Sequence, residues 1–388
     1  MSSLPLELLQ YIAGYASTND LYAFRAASKT FCAVATPRVF RALRCTSTSR
    51  STEGIVGILG SVYLHAYVEE FVYADWYVTW GNGSPSLTPP QEQEAQVQGN
   101  LSQAIPLLRS LPALHTISLS FSLYFEEETS AYIEEPSPGL QLQYAIFNAL
   151  AALPRIPTLR TLILDNITPF PNEVFTDAGF LAFLQGLTHL RISTASDTQL
   201  EGAVFQDPIV KFYTETLPPL LRAPIDTLTS LSLHSDQDVG SAPGLSFADI
   251  HYPHLTHLSL QSVLFEDGTG AEAFILAHAA TLTALTLTFC RIAFSEDDDE
   301  PDRTWADVYR ALSEGLVNLR QLEVKESWEG MDYPDANPNG RKLRYVKMDS
   351  GWGWNGHFDH GEDTWSGGDA LALEEFREVI RAKTNESE

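Results

Sequence analysis

Cysteine is scarce. The 388 residues hold three (Cys32, Cys45, Cys290), far apart and without a Cys-x-x-Cys pair. That spacing fits neither a disulfide framework nor a zinc site, and a reducing compartment, cytoplasm or nucleus, is expected. Long apolar runs are missing too. The longest, Ile55 to Val68, covers about 14 residues and includes His65, short of a bilayer span, so no membrane segment is expected. The first apolar run contains Glu7 and lacks a basic leader, so no signal peptide is expected. Positive charge is in deficit: 24 Lys and Arg stand against 50 Asp and Glu, for a net −26. So acidic a chain repels phosphate backbones, which argues against nucleic acid as a partner. Catalytic signatures are also lacking. There is no Gly-x-Ser-x-Gly elbow, no phosphate-binding glycine loop before a helix and no His-Glu-x-x-His, so neither a catalytic site nor a cofactor is expected.

What is present is a globular composition, 44% hydrophobic, with an uneven charge. Residues 1–50 carry six bases (Arg25, Lys29, Arg38, Arg41, Arg44, Arg50) against Glu7 and Asp20, a net +4 that leaves −30 for the remainder. The first segment would steer toward an acidic partner and the body toward a basic one, unless the charge serves solubility alone.

Three short helices are expected in the first 40 residues. Pro5 suits a first helical turn. Leu4, Leu8 and Ile12 then line one face and Leu9 widens it. Asp20 is the expected cap of a second helix carrying Leu21 and Phe24, and Ser28 the cap of a third. So small a unit cannot bury this many leucines by itself, which points to a partner. The stretch Leu4-Pro5, Glu7-Leu8-Leu9, Ile12, Asp20-Leu21, Arg25, Ser28-Lys29 and Phe31 resembles an F-box. The tail Ala35 to Arg41 resembles the closing segment of fungal F-boxes, with Phe40 where the family often has Trp. The resemblance implies docking on a Skp-type adaptor, and through it a cullin, by Leu4, Pro5, Leu8, Leu9, Ile12, Leu21 and Phe24.

The rest repeats one spacing, Leu-x-x-Leu-x-Leu. It occurs at Leu114-Ile117-Leu119, Leu159-Leu162-Leu164, Leu187-Leu190-Ile192, Leu228-Leu231-Leu233 and Leu255-Leu258-Leu260. It returns at Leu282-Leu285-Leu287, Leu319-Leu322-Val324 and Leu343-Val346-Met348, with Val68-Phe71-Tyr73 a weaker copy. Each reads as a short strand. Helical periodicity fills the gaps at Leu101 to Leu111, Leu140 to Leu153, Asp177 to Leu184, Val210 to Leu221, Ala271 to Ala280 and Trp305 to Leu316. The starts lie 24 to 46 residues apart, as in a repeat with loop insertions. This resembles the leucine-rich-repeat family, most fully at Leu282 to Ile292, where Cys290 takes the turn position. The expected fold is therefore a small all-α F-box at 1–45, a polar hinge at 46–53, an irregular α/β solenoid with a parallel sheet on its concave face at 54–370, and a capping helix and tail at 371–388.

Few residues invite chemistry. His357 to Asp363 gathers two histidines and three carboxylates, but no distant third ligand can be named, so it reads as a solvated loop and no metal site is assigned. Ser295 to Glu300 reads as an acidic insertion without calcium-loop spacing. Trp76, Trp80, Trp328, Trp352 and Trp354 follow strands, where they would anchor a target on the rim or pack the ends of the array. The resemblance implies a non-catalytic substrate receptor of a Skp–cullin–F-box ubiquitin ligase, its protein target unknown. The alternatives are a stand-alone repeat scaffold or inhibitor binding a basic protein, and an enzyme with a degenerate metal site at His357 and His360.

Overall fold

The computed structural model describes residues 4–75, 91–122, 136–196, 207–295, 300–325, 345–349, 353–357 and 367–385. It is an α/β fold in which mostly parallel strands alternate with helices.

Three helices open the chain. α1 (Leu6–Tyr15) starts behind Pro5, whose carbonyl accepts the Leu8 and Leu9 N–H groups at 3.1 and 3.2 Å. α2 (Thr18–Ala27) is capped by Ser17, not by Asp20. The Ser17 hydroxyl accepts the Asp20 N–H at 3.2 Å and donates to its carboxylate at 2.6 Å. Asp20 sits one turn further in, where its charge still favours the positive helix end. Ser28 caps α3 (Lys29–Val39) as expected, accepting the Phe31 N–H at 3.2 Å.

The expected hinge is absent. Residues 46–53 are the last residue of β1 (Ala42–Thr46), a tight link and the first turn of α4 (Ser49–Leu59). The polar run Thr46 to Thr52 is capping chemistry. Thr48 accepts the Ser51 N–H at 3.2 Å, and Thr52 turns its buried hydroxyl back to the Thr48 and Ser49 carbonyls. The boundary expected at residue 45 therefore falls inside a strand. Phe40, Leu43 and Cys45 are buried and carry the same three-then-two spacing as the later strands.

The chain divides into two compact units, one within Met1–Tyr124 and Pro138–Leu164, the other within Phe125–Ser137 and Asp165–Glu388. The first contains the three helices together with β1, α4, β2 (Glu70–Ala74), α5 (Gln91–Ala104), β3 (Thr116–Ser120), α6 (Pro138–Ala151) and the start of β4 (Thr161–Ile167). β1, β2 and β3 are parallel and in register, with Leu43, Phe71 and Ile117 aligned, then Cys45, Tyr73 and Leu119. All six are at most 3% exposed, so one strand face lies wholly in the core.

The second unit continues β4 and adds α7 (Ala178–Leu184), β5 (His189–Thr194), α8 (Asp207–Lys211), α9 (Leu217–Arg222), β6 (Ser230–Val239) and β7 (His257–Phe265). A wide π-turn, Phe212–Thr216, joins α8 to α9. It accommodates Pro218 and Pro219, which bring no N–H to the helical ladder. Then come α10 (Ala271–Ala277), β8 (Ala284–Thr288), β9 (Arg291–Ser295), α11 (Trp305–Gly315), β10 (Gln321–Lys325), β11 (Tyr345–Asp349), β12 (Gly353–His357) and α12 (Asp369–Asn385). β5, β6, β7, β8 and β10 form a parallel ladder with Leu190, Leu231, Leu258, Leu285 and Leu322 aligned. A second ladder splits off at the end of β7, where Leu264 and Phe265 pair β9; β9 pairs β11, and β12 closes it antiparallel.

Two devices recur along these strands. Thr229, Thr256 and Thr283 each donate a hydroxyl at 3.0 Å to the carbonyl of the matching threonine one strand earlier, Thr188, Thr229 and Thr256. Their own N–H groups reach the same carbonyls at 2.8 Å. In addition, Asn166, Ser262 and Phe289 adopt left-handed backbone, φ 58°, 55° and 50°, each two residues beyond the last leucine of a repeat (Leu164, Leu260, Leu287). At Ser262 the bend coincides with a shift in the β6–β7 register, from His234 opposite Gln261 to Val239 opposite Val263, just ahead of the residues that pair β9.

Candidate functional site

The outer surface of α1 is apolar and uncovered. Leu4, Leu8, Tyr11, Ile12 and Tyr15 are 44–77% exposed; within α1, at 100° per residue, Leu8, Tyr11, Ile12 and Tyr15 share one stripe about 100° wide, and Leu4 precedes the helix, ahead of the extended Pro5. The adjoining stripe holds Leu9 and Ala13, which are buried as α1 packs on α3. Arg38 of α3 ties the two helices by donating to the Gln10 carbonyl at 3.2 Å. One helix thus presents two apolar stripes, one inside and one outside.

This separates the seven residues expected to dock. Leu4, Pro5, Leu8 and Ile12 are exposed. Leu9 and Leu21, at 4% and 6% exposure, are buried. Periodicity alone does not distinguish a face turned inward from one turned outward. Phe24 is half-buried and packs on Phe31 at 4.5 Å between centroids. Three exposed residues escaped sequence reasoning. Tyr11 and Tyr15 meet edge-on at 5.0 Å with their hydroxyls 3.2 Å apart, and Leu6 stands 50% exposed on the other side of the helix, past the buried Leu9 and Ala13. Their signal was the i, i+4 repeat of tyrosine within the leucine stripe. Arg25, read only as a motif residue, lies over the Phe40 ring at 4.7 Å and donates to Thr36 at 3.0 Å, so Phe40 serves as an anchor between α2 and α3.

The other candidates fall largely outside view. Trp76, Trp80, Trp328 and Trp352 lie outside the described residues, as does His360. Trp354 and His357 belong to β12, of which the backbone alone is described. Among the described residues, no cluster of histidine, cysteine and carboxylates could hold a metal ion. Cys32, Cys45 and Cys290 are free thiols, and burial pushes Cys45 up to about 11 and Cys290 up to about 12, so neither is primed as a nucleophile. No described helix is long and apolar enough to cross a membrane.

No protein-family model matches the chain, and no curated protein matches it closely enough to be a relative.

Proposed function

We propose that this chain is the substrate receptor of a Skp–cullin–F-box ubiquitin ligase. The observation that carries the reading is the uncovered stripe on α1. An isolated leucine on a surface is ordinary, but a continuous row of large apolar side chains marks a surface built for a partner. The row begins within the sequence that resembles an F-box. In this reading Leu4, Leu8 and Ile12 enter a Skp-type adaptor, Tyr11 and Tyr15 extend the contact, and Leu9 and Leu21 hold the helices behind them.

The finer fold belongs to the same proposal. The repeated strand and helix units would form a leucine-rich-repeat solenoid that holds a target protein. Cys290 supports this: its thiol points to the Leu260 and Thr288 carbonyls at 3.5 and 3.7 Å, the turn role the family's cysteine has. Ubiquitin transfer would be carried out by other subunits, in the cytoplasm or nucleus. This chain would contribute proximity, raising the local concentration of target at the ubiquitin donor. A calorimetric titration with a Skp-type adaptor tests the contact. Leu8→Ala should weaken it by about 2–4 kcal/mol, as for a buried interface anchor. Affinity unchanged by Leu8→Ala would remove the stripe from the interface.

A second reading draws on the shared compact unit. Because α1–α3 belong with β1–β3, they could serve as the cap of a stand-alone scaffold or inhibitor that binds a basic protein. The truncations described in the Discussion separate the two.

A further inference from the structure

The second unit contains a cavity of about 450 Å³ bordered by β7, α10, β9 and the start of α11, a volume typical of ligand-binding pockets. Its floor is apolar, formed by the strand residues Phe265, Ile292 and Phe294. Its rim is acidic. Asp267 and Asp302 stand exposed there, and neither has an ion pair among the described residues. Arg303, the one cation among the described lining residues, is engaged by Glu272 at 2.5 Å. Glu266 accepts the Ser241 N–H and hydroxyl, while burial pushes its carboxyl above the usual range, so a nearby positive charge would be welcome. The floor already faces a cation on one side, where the Lys347 ammonium lies 4.9 Å from the Phe294 ring centroid.

Bare carboxylates above an apolar floor match an amphipathic cation. Lysine fits best, with an aliphatic stem to lie on the floor and a compact ammonium to reach the rim. The volume leaves room for an apolar neighbour as well. We propose that this cavity binds a lysine-bearing, otherwise apolar peptide segment of the protein held by the body. The proposal rests on the reading that the body receives a target, but its test does not involve α1.

The test titrates the full chain, at physiological salt, with three capped hexapeptides: alternating leucine and lysine, alternating glycine and lysine, and alternating leucine and glutamine. The leucine–lysine peptide should bind, and each of the others about tenfold more weakly, since each lacks one half of the match. The double variant Asp267→Asn, Asp302→Asn should lose about tenfold for the leucine–lysine peptide. An equal neutralisation elsewhere, Glu375→Gln with Glu378→Gln on α12, removes two exposed carboxylates that do not line the cavity and should leave affinity within about twofold. Failure of the leucine–lysine peptide to bind would overturn the proposal. So would equal binding of the glycine–lysine peptide, which would make the effect one of net charge, or equal binding of the leucine–glutamine peptide, which would make the groove merely apolar. Equal losses in the two double variants would also overturn it. None of these results bears on the adaptor contact at α1.

Discussion

His278 is a buried side chain whose protonation state is set by its neighbours. Its Nδ1–H donates to the Phe274 carbonyl at 2.7 Å and its Nε2 accepts the Tyr252 N–H at 2.9 Å, which requires the neutral ring. Burial pushes its pKa below the usual histidine value, the Phe274 bond opposing and the His251 ring adding to the fall. On acidification the unfolded chain takes up this proton first. The stabilisation is therefore complete above about pH 6.5 and is lost as pH falls below it. His234, pushed down to about 4 by burial and then by Arg191, acts in the same direction. Urea unfolding at pH 7.5 and 5.5 should show wild type losing more stability on acidification than His278→Gln, in which His234 and the buried carboxyls are unchanged. Identical losses would contradict this account. At this scale the sequence revealed less than it seemed to. Leu4, Leu8, Leu9 and Ile12 look alike as a pattern, yet Leu9 alone faces α3, because orientation follows from what packs against the helix.

At the scale of elements, spacing was a good guide wherever the strands carried leucine. The starts of β2 to β8 and of β10 follow the Leu-x-x-Leu-x-Leu rule, and β11 keeps its last two positions. β1 obeys the same rule through Phe40, Leu43 and Cys45, but the pattern lay concealed under the closing segment of the helical motif. α4 was missed because its first turn is made of serine and threonine, which favour loops as readily as caps. β9 and β12 belong to the second ladder, which the repeat does not encode. The bend that starts this ladder predicts a gain. Ser262 holds φ 55° without being glycine, so Ser262→Gly should stabilise by about 1 kcal/mol in denaturant titration; a loss would contradict the strain. The closing helix predicts a loss. Asp369, fully buried at the start of α12, accepts the Ala306 N–H at 2.9 Å and the Tyr345 hydroxyl at 2.7 Å. Tyr345 in turn accepts the Trp305 N–H at 3.0 Å. One carboxylate thus joins α11, β11 and α12. Asp369→Ala leaves buried donors unmet and should cost about 3 kcal/mol, while a change within 1 kcal/mol would show that the network is incidental.

For the molecule as a whole, sequence suggested a helical motif, a hinge and an independent body. The compact units fall elsewhere, with α1–α3 grouped with β1–β3. The reason is local. Val34, Ala35, Val39 and Phe40 are buried, and α3 touches the turn His65–Tyr67, so the helical segment has its own stake in the strand core. Truncation should therefore depend on where it stops. Removing the chain through Ala16 takes away α1, which buries only Leu9 and Ala13, and should lower the thermal midpoint by only a few degrees. Removing it through Thr46 also strips β1 from Phe71 and Tyr73, and should yield aggregated protein in size-exclusion chromatography. In the scaffold reading, loss of α1 alone would already aggregate the body, and loss of partner binding would accompany unfolding.

The central claim is that the outer stripe of α1 is a docking surface. Co-precipitation of a Skp-type adaptor with the full chain and with the triple variant Leu4→Ala, Leu8→Ala, Ile12→Ala tests it most directly, with circular dichroism to verify that both are folded. The wild-type chain should retain the adaptor, and the folded triple variant should lose it. Undiminished capture by that variant, or no capture by the wild type, would contradict the account.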